Sequence, residues 1–202
     1  MKKIVIIDYG VGNLRSVQKG LECAGASPTI SSDPQEILGA DGVILPGVGA
    51  FIDAMKKIEP MRDVIREYVN SGKPMLGICL GQQILMSQSE EGGLTEGLDI
   101  VPGRVVRFPH TDLKVPHMGW NSINITQEHP FFEGVPDNSY VYFVHSYYVD
   151  TDEAHTLASC KYGIEFAASV INDAKNVIGT QFHPEKSGDI GLKMLRNFVG
   201  MC

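Results

Sequence analysis

The 202-residue chain suits one domain, two at a stretch, and can bury roughly 70% of its unfolded surface without disulfides or metal. Its composition, 43% hydrophobic and 20% charged, excludes a disordered or fibrous protein. Seventeen basic residues stand against 24 acidic ones, a net charge of −7 with no basic run, so a nucleic-acid-binding surface is not expected, and no apolar run approaches the length of a membrane span.

IVIID (4–8) is an unbroken apolar run of the kind buried on both faces, and it reads as a first strand because Asp8 ends it too early for a signal peptide. Leu14, Val17 and Leu21 then recur at helical spacing. GVILPG (42–47) is the next strand. Residues 50–70 form a helical stretch with Phe51, Met55, Val64, Ile65, Tyr68 and Val69 on its apolar face, broken or kinked at Pro60. MLGIC (75–79) is a third buried strand, and a helix follows through Leu85. This alternation predicts a parallel sheet with helices on both faces.

Beyond residue 98 the character changes. VVRF, NSINI, YVYFVHSYYV, EFAASVI and NVIGTQF read as strands added to the sheet, partly antiparallel, with a turn at Asn172-Asp173. A last amphipathic helix runs through Leu192, Leu195, Phe198 and Val199. No repeat or linker divides the chain, so residues 1–202 are expected to form one α/β domain, doubly wound and flavodoxin-like. The four cysteines (23, 79, 160, 202) form no CxxC pair, which removes the usual zinc and dithiol signatures. Reduced thiols, each a small buried hydrophobe by default, and a cytoplasmic location are expected.

Cys79 departs from that default. Gly77-Ile78-Cys79-Leu80-Gly81 spans a strand-to-helix junction, and a nucleophile on such a sharp turn needs small residues two positions before and after it. The turn also sets the sulfur at the positive end of the following helix, which favours the thiolate. Taken alone, the five residues serve equally well as a core cysteine beside two turn glycines.

In Gln181-Phe182-His183-Pro184-Glu185, Pro184 biases His183 toward extended backbone, so His183 and Glu185 share a side and the carboxylate can orient the imidazole. A surface turn with an incidental carboxylate fits the same residues. Histidines 117, 129, 145 and 155 lack a carboxylate at the +2 position, and His110, which has Asp112 there, lacks the intervening proline. Pro46-Gly47-Val48-Gly49-Ala50, at a strand's carboxyl end, offers backbone N–H groups for an oxyanion or an ordinary turn. Gly10-x-Gly12 is half a dinucleotide fingerprint, but Arg15 occupies the third glycine position.

Six blocks in order carry a resemblance that spans the chain: IDYGVGNLRSV (7–17), LPGVGAF (45–51), GICLGQQ (77–83), VPHMGWN (115–121), YFVHSYY (142–148) and GTQFHPEKS (179–187). The chain resembles the triad, or class I, glutamine amidotransferases, and among them the glutaminase subunits of imidazole glycerol phosphate synthase. The resemblance implies Cys79 as nucleophile, His183 as base and Glu185 as its orienting partner, acting on L-glutamine through a thioester without cofactor or metal. It implies an oxyanion hole from Leu80 and the Gly47–Val48–Gly49 segment. Gly49, Gln83, Glu91, Ser146 and Tyr147 would hold glutamine. A separate (β/α)8-barrel cyclase would form a heterodimer with the chain and take the ammonia, facing Asn13, Trp120 and Lys186. Gln82 departs from the family, which often has methionine there. The Val48 peptide, flanked by glycines, is expected to turn when the partner binds its ligand. A glutaminase for another acceptor, a cysteine hydrolase and a redox-sensing module are the competing readings.

Overall fold

The computed structural model describes residues 2–109 and 113–202. His110 lies outside the described residues. Among the described residues, six α-helices and fourteen strands follow one another, beginning β1 (Lys3–Ile7), α1 (Leu14–Cys23), β2 (Ser27–Ser31), α2 (Pro34–Leu38), β3 (Gly42–Leu45), α3 (Phe51–Ile58), α4 (Arg62–Asn70), β4 (Met75–Ile78) and α5 (Leu80–Leu85). The second half runs β5 (Met86–Ser89), β6 (Thr95–Glu96), β7 (Val101–Arg107), β8 (His117–Ser122), β9 (Asn124–Ile125), β10 (Tyr140–His145), β11 (Tyr147–Asp150), β12 (Thr156–Tyr162), β13 (Ile164–Ile171), β14 (Val177–Thr180) and α6 (Gly188–Met201).

Twelve strands make one sheet, whose main path is β2-β1-β3-β4-β14-β13-β11-β7-β5-β6. The β1, β2, β3, β4 and β14 pairings are parallel, and β13 turns the sheet antiparallel. Successive residues of β1 serve opposite faces. Ile4 and Ile6 pack with α1 and α6 through Val17, Leu21, Leu195 and Phe198, whereas Val5 and Ile7 pack with α2 to α5 through Ile37, Phe51, Ile65 and Ile84. Two-sided burial is why the run carries no polar alternation, and each such side chain contributes about 1.5–3 kcal/mol. Among the described residues no helix is long and apolar enough to cross a membrane.

The expected break at Pro60 is a short 3₁₀ turn, Glu59–Met61, between α3 and α4. One expected strand divides: YVYFVHSYYV splits at Ser146. Its first part, β10, pairs with β8 in a separate two-stranded sheet, and its second, β11, joins the main sheet against β7 and β13. The cysteine default also needs correction, because Cys23 is exposed at the end of α1 and Cys202 is half-buried. All four thiols are free.

Candidate active site

β4 lies between β3 and β14, so the three segments leaving their carboxyl ends must meet. From β3 comes Pro46–Ala50, from β4 comes Cys79, and from β14 comes Gln181–Glu185. Cys79 has φ 56° and ψ −111°, a left-handed backbone that a side chain rarely adopts. The flanking glycines explain how the turn closes. A Cβ on Gly81 would run into the Leu45 carbonyl, and one on Gly77 would stand 2.7 Å from Leu85 Cδ1 and 2.9 Å from the Gly81 backbone. The Cys79 N–H donates to the Thr180 carbonyl at 2.7 Å, tying the turn to β14.

His183 has ordinary backbone, φ −100° and ψ 99°. Its N–H donates to the Tyr142 carbonyl at 2.9 Å, and its own carbonyl accepts from Ser187 Oγ at 2.6 Å. Ser187 Oγ also accepts from the Tyr142 N–H at 3.0 Å. His183 Nδ1 lies 2.8 Å from Glu185 Oε1, with both side chains buried. A carboxylate can only accept here, so Nδ1 carries hydrogen and Nε2 is left for the sulfur side. Nε2 and Glu185 Oε2 are buried without a hydrogen-bond partner among the described residues. Burial pulls the imidazole pKa down, but the Cys79 and Glu185 side chains raise it by more, to about 9.

A cavity of about 340 Å³ opens on this junction, lined by Val48, Gly49, Cys79, Leu80, Gln83, Glu91, Pro116, Val144, His145, Ser146, Tyr147 and His183. It gathers every residue expected to hold the ligand. Its volume is near the lower end of the roughly 300–1,000 Å³ typical of small-molecule sites, a size for one amino acid. Gly47 is not itself among the residues lining the cavity. A Cβ there would be 2.8 Å from the Gly81 nitrogen and 2.9 Å from Leu80 Cβ, so Gly47 lets the β3 loop lie against the elbow. Gly49, at φ +96°, needs glycine for its backbone instead.

The loop is fastened on both sides. The Tyr9 hydroxyl donates to the Pro46 carbonyl at 2.7 Å, and the Phe51 N–H, at the start of α3, donates to Glu91 Oε2 at 2.8 Å. Burial, and then the nearby Cys79 sulfur, push the Tyr9 pKa up, so it stays a neutral donor.

Gln83 Nε2 donates to the Tyr147 carbonyl at 3.1 Å and to Gln181 Oε1 at 2.9 Å. Gln181 Nε2 in turn faces Cys79 Sγ at 3.8 Å. Gln181 and Tyr9 are site residues that sequence reasoning misses. Both sit inside the motifs, but their partners are distant in sequence and no local spacing points to them. Gln82, beside the elbow, is fully buried, and neither amide atom has a hydrogen-bond partner among the described residues.

Asn13, Trp120 and Lys186 lie outside the cavity lining. Asn13 is exposed, and its side chain caps α1 by accepting from the Ser16 N–H at 3.3 Å. Trp120 is 55% exposed on β8, and Lys186 is exposed one residue after Glu185. None of the three is a core residue. Histidines 129 and 155 are also outside the cavity, whereas His145 lines it and His117 stands directly behind.

Comparison with known proteins places this architecture. Residues 5–201 match the family Glutamine amidotransferase class-I. The chain is similar to the imidazole glycerol phosphate synthase subunit HisH of Methanosarcina barkeri, 70% identical with both chains fully covered. It is also similar to that of Methanosarcina mazei, 71% identical at the same coverage, and that of Geobacter sulfurreducens, 50% identical over the whole of each. Among solved structures, a putative GMP synthase protein from Thermoplasma acidophilum superposes with a TM-score of 0.75 at 23% identity, covering 100% of this chain and 94% of that one. PurLQS from Thermotoga maritima gives 0.76 at 19% identity, with 99% of each covered. These last two likenesses speak for the fold alone. The chain belongs to the class-I glutamine amidotransferases, and within them to the HisH family.

Proposed function

We propose that this protein is the glutaminase subunit of an imidazole glycerol phosphate synthase and works in histidine biosynthesis. The observation that carries the reading is the meeting of Cys79, His183, Gln83, Glu91, Ser146 and Tyr147 around one cavity sized for an amino acid.

Glutamine enters with its side-chain amide at Cys79. The imidazole, oriented by Glu185, takes the thiol proton, and the raised His183 pKa favours this charged form. Sulfur attacks the amide carbon, and the N–H of Leu80 with one from the Val48–Gly49 stretch receives the oxyanion. His183 returns the proton to the nitrogen as the C–N bond breaks, leaving ammonia and a thioester that water cleaves to glutamate. Gln83 Nε2 has spent both hydrogens, so the group it offers a ligand is its Oε1, an acceptor suited to an ammonium. Glu91 stands ready on the same account.

Ammonia released to water at neutral pH is mostly protonated and no longer a nucleophile, so the reaction is productive only with an acceptor site sealed to this one. The partner we assign is the synthase's barrel cyclase, docked on the face that displays Asn13, Trp120 and Lys186. The four free thiols suit a reducing cytoplasm.

Glutamate release tests the reading. The chain with its cyclase and nucleotide ligand should be strongly active, Cys79→Ala inert, and the isolated chain slow. Full activity of the isolated chain would keep the glutaminase and discard the turning of the Val48 peptide. Inactivity in every mixture would overturn the assignment.

A further inference from the structure

His117 and His145 stand opposite each other across β8 and β10. Neither belongs to the chemistry above, and their hydrogen bonds allow one arrangement only. His145 Nδ1 lies 2.8 Å from the Tyr147 carbonyl oxygen, which can only accept, so Nδ1 carries hydrogen. His145 Nε2 lies 2.9 Å from His117 Nδ1. With His145 neutral, its Nε2 is bare and His117 Nδ1 must donate. His117 Nε2 is then bare and accepts from Asn121 Nδ2 at 3.2 Å, whose other hydrogen goes to the Lys161 carbonyl at 3.1 Å. Asn121 Oδ1 accepts from the Ser122 N–H at 2.9 Å, which fixes the amide's orientation. The bonds therefore run one way, from Asn121 through two imidazoles to the Tyr147 carbonyl.

Both rings are buried, and burial lowers their pKa, to about 4 for His117 and about 3 for His145. An added proton would set two donors face to face. The His117 ring is also stacked, with Tyr162 at 4.0 Å and Phe143 at 4.8 Å between centroids, so it has little room to rotate.

The chain of bonds ends where β10 leaves its two-stranded sheet and β11 joins the main one. There the Ser146 carbonyl accepts from the Phe108 N–H at 3.3 Å, and the Tyr147 carbonyl accepts from both Gln83 and His145. The Ser146 carbonyl is thus held toward Phe108, and the Tyr147 carbonyl, with both lone pairs occupied, is withdrawn from a ligand in the cavity. A carbonyl facing a ligand carboxylate would repel it.

We propose that His145, relayed by His117, is a positioning residue that holds the Tyr147 carbonyl turned away from the ligand and thereby sets the polarity of the cavity's amino-acid end. This rests on the amidotransferase reading above. His145 acts on ground-state binding and leaves the oxyanion and the triad untouched, so its loss raises KM and spares kcat.

The chain assembled with its cyclase supplies the test. His145→Leu should raise KM for glutamine about tenfold, the equivalent of one hydrogen bond, with kcat within about threefold of the parent. In His145→Asn the amide Nδ2 overlays the imidazole Nδ1, and KM should return to within about threefold. A merely structural role predicts a lower Tm with KM unmoved, or equal impairment by Leu and Asn, and either result would overturn the proposal. Independently of any variant, ¹⁵N spectra at neutral pH should show both rings as the less common Nδ1–H tautomer. An Nε2–H tautomer at His145 would also end it. Labelling of the unsubstituted chain by an electrophilic glutamine analogue separates the two readings. Without labelling at Cys79 the amidotransferase assignment fails, whatever the tautomers show.

Discussion

Cys79 and His183 leave neighbouring strands for the same cavity, and they are held in different ways. The turn at Cys79 is kept sharp by exclusion: the backbones of Gly77, Gly81 and Gly47 lie so close to their neighbours that no methyl group fits. The segment at His183 has relaxed backbone and is held by bonds, from the Tyr142 carbonyl, the Tyr142 N–H and the bridging hydroxyl of Ser187. Exclusion is brittle, because one added atom must displace main chain. Hydrogen bonds are graded, because each one removed takes only its share.

Gly81→Ala should break the first kind of restraint outright. The new methyl meets the Leu45 carbonyl, and displacing main chain costs about 3 kcal/mol, the upper end for an overpacked site. Glutaminase activity should fall at least about a hundredfold, the scale of a misplaced reacting group, if Cys79 acts as proposed. An active, stable variant would show that the elbow is not sterically set. Ser187→Ala should be milder. It leaves the Tyr142 N–H and the His183 carbonyl with fewer partners, a loss of about 1–3 kcal/mol read by urea unfolding, with partial activity retained.

The electrostatic side of the bonded segment is read by pH. Folded His183 keeps its proton to about pH 9, whereas an unfolded histidine loses it near 6.5. Its contribution to stability is therefore fully present below about 6.5 and lost as pH rises toward 9. Unfolding at several pH values should show this decline, and Glu185→Gln should flatten it. An unchanged slope would remove Glu185 from the account.

The smallest effect is expected where neither kind of restraint acts. Gln82 and Gln83 are adjacent, yet Gln83 is fully engaged through Nε2 and Gln82 is buried with its amide unpartnered among the described residues. Gln82→Met keeps the volume and removes the unpaired amide, so it should raise stability by about 1 kcal/mol with activity retained. A fall in Tm would mean that the amide has a partner, such as a buried water.

Legibility in the sequence follows the same divide between local and distant causes. β1, β3 and β4 read clearly because both faces are buried and the apolar run is unbroken. β2, SPTIS, escapes such a reading: it lies at the sheet edge, carries Pro28 and buries only that residue fully. β12, TLASCKY, is built largely from small residues and shows no alternation. The division of YVYFVHSYYV at Ser146 depends on which strands lie alongside, and nothing within that segment encodes it. At the site, the elbow and the His-x-Glu pair declare themselves because their geometry is local. The Gln181–Gln83 and His145–His117 contacts join residues 98 and 28 positions apart, beyond the reach of any spacing rule.

The fastening of the Pro46–Phe51 loop at its two ends has a bearing on speed. With the Pro46 carbonyl tied to Tyr9 and the Phe51 N–H tied to Glu91, the loop cannot swing as a flap. What stays free is the Val48–Gly49 stretch, whose first residue is 44% exposed and whose second has open space around it. A change there is a rotation of one peptide plane, which belongs with loop motions of nanoseconds to microseconds and not with the slower closure of whole domains. Any switching of the oxyanion donor proposed above would keep pace with each arriving molecule of glutamine, and turnover would be timed by chemistry or by the partner rather than by the loop.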